Sequence, residues 1–113
     1  MKTKIEINPG ICNFKTMVSA SADKRRNVEF EFETECELIK SFDMLLKKKT
    51  PLAGLKELSP TNESTIMESA RSLLISKGCC EACAVPIGVC KAMYVATGLA
   101  LPADVSLIIM NES

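Results

Sequence analysis

The chain has 113 residues and a mass of 12.3 kDa, a size for one domain over residues 1–113, since a second would be too small to bury its own core. Apolar residues make up 47% and charged residues 25%, which suits a packed core, and fourteen Lys plus Arg balance fourteen Asp plus Glu, which argues against binding to nucleic acid or to an anionic membrane through bulk charge. There is no histidine, which excludes imidazole general bases, Ser-His and Cys-His nucleophile pairs and every imidazole zinc site.

Met1 to Asn8 carries no apolar run of the secretory type and nothing further along reaches membrane-spanning length, so a soluble, cytoplasmic protein is expected. In the first third the apolar residues recur with period two: Ile5 and Ile7, then Phe14 and Val18, then Val28, Phe30 and Phe32 interleaved with Glu29, Glu31 and Glu33. Three strands with one wet face follow. Pro9-Gly10 supplies the first reversal and Ser21 to Lys24 begins the second, predicting an antiparallel meander in which residue 20 faces residue 28, Cys12 faces Cys36 and Ile7 faces Cys12. A capping box, Thr34-x-x-Glu37, opens a helix with the stripe Leu38, Ile39, Phe42, Leu45 and Leu46, closed by Lys47-Lys48-Lys49 before Pro51. A second helix carries Ile66, Met67, Ala70, Leu73 and Leu74 and stops at Gly78, and Pro86 starts a third that ends near Gly98. Residues 104–110 read as a last strand, apolar on both faces. The expected class is α+β, in the order βββαααβ.

Cys80-x-x-Cys83 is the one short motif with chemical content, because its spacing lets two thiolates reach one metal or close one disulfide. The meander places Cys12 and Cys36 at one end of the sheet. If the loop with Cys80 and Cys83 folds over that end, four sulfurs converge, as tetrahedral zinc or an iron–sulfur cluster requires. Glu33, Glu35 and Glu37 around Cys36 disfavour a bare thiolate and favour a cation beside it. Two other readings stay open: a metal-free interaction or assembly module whose cysteines pack as small hydrophobes, and thiol–disulfide redox chemistry at Cys80 and Cys83. Cys79 competes with Cys80 as ligand, and Cys90, on the third helix, reads as core packing. No Walker loop, spaced-glycine fingerprint or acid–base carboxylate pair is present, so no catalytic residue is assigned. The third helix is apolar nearly all round, and with the last strand it predicts a homodimer.

Through Gly10-Ile11-Cys12, Cys36-Glu37, Cys80-Glu81-Ala82-Cys83-Ala84-Val85-Pro86, Lys91-Ala92 and the run from Gly98 to Val105, the chain resembles a small family of unknown function from anaerobic prokaryotes. The resemblance spans nearly the full length. It implies a site of four sulfurs, from Cys12, Cys36, Cys80 and Cys83, with Cys90 where an aliphatic residue is usual. It names no reaction.

Overall fold

The alternating residues of the first third form three antiparallel strands, β1 (Lys2–Ile7), β2 (Thr16–Ala22) and β3 (Asn27–Thr34), in a computed structural model that describes residues 1–10, 12–58, 64–78 and 83–112. Ile7, Val18, Ala20, Val28 and Phe30 turn to the buried face, while Lys2, Lys4, Glu6, Glu29, Glu31 and Glu33 turn to solvent. Within the strands the faces are those expected, but Phe14 falls before β2 and is exposed, and the registers differ. Ala20 pairs with Phe30, and Ile7 pairs with Thr16.

Local hydrogen bonds account for the shift in the second turn. The Asp23 carboxylate accepts from the backbone N–H of Arg25 (2.8 Å) and Asn27 (2.9 Å), and Arg26 takes a left-handed φ of 63°, so the reversal is confined to residues 23–26. In the first connection, Gly10 at φ 91° and Asn13 at φ 60°, joined by Asn13 N–H to Gly10 C=O (3.0 Å), turn the chain between Ile7 and Thr16 by a wide loop in place of a tight turn. Both shifts are by an even number of residues, which is why no side chain changed face.

Helix α1 (Glu37–Lys47) buries Ile39, Phe42 and Leu46. Its N-cap is Cys36, whose side chain makes no capping bond. The expected capping box does not form, because Thr34 is still paired with Thr16 in the sheet: its Oγ1 lies 2.9 Å from Thr16 Oγ1 and accepts from Cys36 N–H at 3.2 Å. After α1 come two elements that periodicity does not announce, a two-residue strand β4 (Leu52–Ala53) on the far edge of β3 and a single turn α2 (Gly54–Glu57). The sheet order is β1-β2-β3-β4.

Helix α3 (Thr65–Lys77) has Ser64 as N-cap, its Oγ accepting from Met67 N–H (3.1 Å), and ends on Gly78 at φ 65°. Glu57 closes the same helix start from outside: its buried carboxylate accepts from Ile66 N–H (3.0 Å) and from Ser64 Oγ (3.3 Å). Helix α4 (Val85–Ala96) begins with Pro86 in its first turn and buries Val85, Val89, Ala92, Met93 and Ala96. It lies on β1 and β2, while α1 lies on β3 and α3. Helices α1 and α4 therefore cover one face of the sheet and α3 packs on them, with Phe42 of α1 meeting Phe32 edge-on at 5.9 Å.

The expected last strand is not in the sheet. Residues 101–112 are exposed throughout and carry no ladder, so the order is βββαβααα, and β4 is the fourth strand in mid-chain. Of the described residues, no helix is long and apolar enough to cross a membrane.

Candidate functional site

The site is framed by one transverse row of the sheet, Ile7 paired with Thr16 and Thr16 with Thr34. This row closes β1, opens β2 and closes β3, so the connection carrying Cys12 and the junction carrying Cys36 both leave the sheet at this end. Extrapolating the observed register sets Cys36 opposite Phe14 and not opposite Cys12; the two cysteines share an end but not a rung. Cys12 is exposed in the wide loop, beside Asn13. Cys36 is half-buried against the core, and its carbonyl accepts the first helical bond, from Lys40 N–H at 2.9 Å.

Cys83 reaches the same end by another route. In the first turn of α4, Gly88 has no side chain to keep it from Ile7, so the start of this helix is seated on the end of β1. Cys83, two residues before the helix, is half-buried against the core and shares the lining of a narrow apolar gap with Leu38, Ile39 and Phe42 of α1 and with Leu73 of α3. It therefore stands beside the first turns of the helix that Cys36 caps. Cys80 and its competitor Cys79 lie outside the described residues.

The electrostatics around Cys36 are acidic and wet: Glu33, Glu35 and Glu37 are exposed, and Glu37 forms an ion pair with Lys40 at 3.4 Å. Among the described residues, no group of three or more Cys, Asp or Glu side chains could hold a metal ion by itself. Cys12, Cys36 and Cys83 lie toward one end of the sheet but are not brought together as a ligand group. Cys90 is placed apart, on α4 against the core, and burial followed by the nearby Glu57 carboxylate pushes its thiol up to about 11. It remains protonated at neutral pH and has the character of a packing residue. Glu57 had no local signal in the sequence, since its partners, Ser64 and Ile66, come to it only through the fold.

A family of unknown function (DUF6951) matches residues 3–109. The chain belongs to this family. No match was found for this DUF6951 chain among curated proteins or among solved structures.

Proposed function

We propose that this DUF6951 chain binds a thiophilic metal centre, a zinc ion or an iron–sulfur cluster, through Cys12, Cys36, Cys80 and Cys83, in a structural, regulatory or electron-carrying role. The observation that supports this reading best is the Ile7–Thr16–Thr34 row, from which two cysteine-bearing connections leave the sheet, together with the seating of α4 on Ile7 that brings Cys83 to the same end. The donor set is soft and free of imidazole, and four thiolates match both zinc and iron–sulfur chemistry. Bound there, the centre would tie the β1–β2 loop, the cap of α1 and the start of α4 to one point. Cys80 is needed to complete the set.

Protein purified without oxygen is expected to carry about one metal ion or cluster per chain, measured by elemental analysis and the visible spectrum. Serine at Cys12, Cys36 or Cys83 lowers metal content and thermal stability together, because ligand binding free energy is also folding free energy. Alanine at Cys90 lowers stability by roughly 1 kcal/mol, as a small core deletion does, and leaves the metal in place. Metal-free protein whose cysteines all titrate, or equal metal loss in all four variants, overturns the reading.

A further inference from the structure

The strongest unexplained feature is the C-terminal segment. Val105 is 62% exposed, Leu107 85%, Ile108 82%, Ile109 94% and Met110 78%, in chain without regular secondary structure, and the molecule's longest dimension, 49 Å, far exceeds the other two, 30 and 29 Å. An apolar run of this kind is rarely left in water. At the same side, the sheet ends on an open edge. Met1 and Ala22 exchange two backbone bonds (3.0 and 2.9 Å), so by the antiparallel alternation Thr3, Ile5 and Ile7 bond to β2, while Lys2, Lys4 and Glu6 direct their N–H and C=O groups away from the sheet.

We propose that residues 105–110 of one chain add as a strand to the outer edge of β1 in a second copy of the chain, and that the exchange is reciprocal. Three observations select this occupant. The segment leaves α4 beside the edge itself, where Met1, Thr3, Val95, Leu101 and Pro102 line one groove, so donor and acceptor lie together in each copy. Their lengths agree, six residues in the segment and six in β1. Their charges are complementary: Asp104 and Glu112 bracket an apolar run, residues 99–112 contain no Lys or Arg, and β1 presents Lys2 and Lys4. One donor and one acceptor per copy are mutually satisfied about a two-fold axis, which closes the assembly at two. Ile5, half-buried at the inner face of the edge strand, gains a neighbour on its open side.

Sedimentation equilibrium of the full chain at micromolar concentration tests this. The expected mass is twice 12.3 kDa. Ile109→Asp, in the donor, and Lys4→Pro, in the acceptor, each restore the single-chain mass. Lys4→Pro removes an N–H that no ladder bond uses, a position where an edge strand tolerates proline. Hydrogen exchange gives a second readout that does not depend on the proline variant folding: the amides of Lys2, Lys4 and Glu6 are protected in the wild-type dimer and lose protection in Ile109→Asp. A single-chain mass at every concentration overturns the proposal, including the case in which those three amides are protected in a monomer because the segment has folded onto its own β1. A dimer that persists in Ile109→Asp overturns it as well.

Discussion

Cys90 shows how one position in the fold separates residues of the same type. Cys12, exposed on a loop, and Cys90, packed on α4 near the Glu57 carboxylate, differ in solvent and in neighbouring charge, and the Cys90 thiol is pushed up to about 11 from an ordinary value of 9.0. At pH 8 a thiol at about 11 holds about 100-fold less thiolate than an ordinary one, and the thiolate is the nucleophile. Alkylation of the metal-free protein with iodoacetamide at pH 8, followed by peptide mass spectrometry, should therefore modify Cys90 about 100-fold more slowly than an ordinary free thiol under the same conditions. The same displacement has a consequence for stability. The value is raised in the folded state, so the contribution of protonated Cys90 is complete below about 9 and is lost as the pH rises through about 11.

At the scale of elements, the contact between α4 and β1 decides where the candidate site lies. A Cβ built on Gly88 would overlap Ile7 Cδ1 and stand 2.9 Å from its Cγ1, and the neighbouring Val89 is fully buried, so the helix cannot simply rise from the sheet. Gly88→Ala is expected to cost about 1–3 kcal/mol, the usual range for overpacking. Ile7→Val alone costs about 0.5–1.5 kcal/mol but deletes the overlapped methyl, so the double variant should lose less than the sum of the two. Urea midpoints of the four proteins measure this coupling. Strictly additive losses would show that the two residues do not meet.

At the scale of the whole molecule, α1 and α4 lie on one face of the sheet with α3 packed on them, and the other face shows that a net charge of zero hides local separation. Glu29, Glu31 and Glu33 alternate along β3 on the wet face, about 7 Å from one to the next by strand geometry. Their cross-strand neighbours on β2 are Ser21, Ser19 and Met17, none of which carries a charge to offset them. At 0.1 M salt the screening length is about 10 Å, so the repulsion is only partly screened. Glu31→Gln should raise stability by roughly 0.2–1 kcal/mol, a gain that shrinks in concentrated salt. Denaturation at low and high ionic strength compares the two, and an equal gain in both would assign the effect to strand propensity.

The parity of the strands was legible in the sequence because period two survives any even slip: Val18, Ala20, Val28 and Phe30 are inside in the expected register and in the observed one. The long helices, the end of α3 and the start of α4 were legible for a similar reason, since Gly78 and Pro86 act through local backbone geometry. The Cys80-x-x-Cys83 spacing was also plain, whereas the relation of Cys12 to Cys36 was not. It depends on loop lengths set by Asp23, Gly10 and Asn13, and on Thr34 bonding to Thr16 across the sheet when its sequence reads as a helix cap. Residues 104–110 mark the limit of such reading. Their side chains carry the composition of an interior strand, yet the fold leaves them exposed. Apolar periodicity reports that a segment gains by leaving water, but which surface receives it depends on where the edges and helices lie, and that is settled only when the tertiary structure forms.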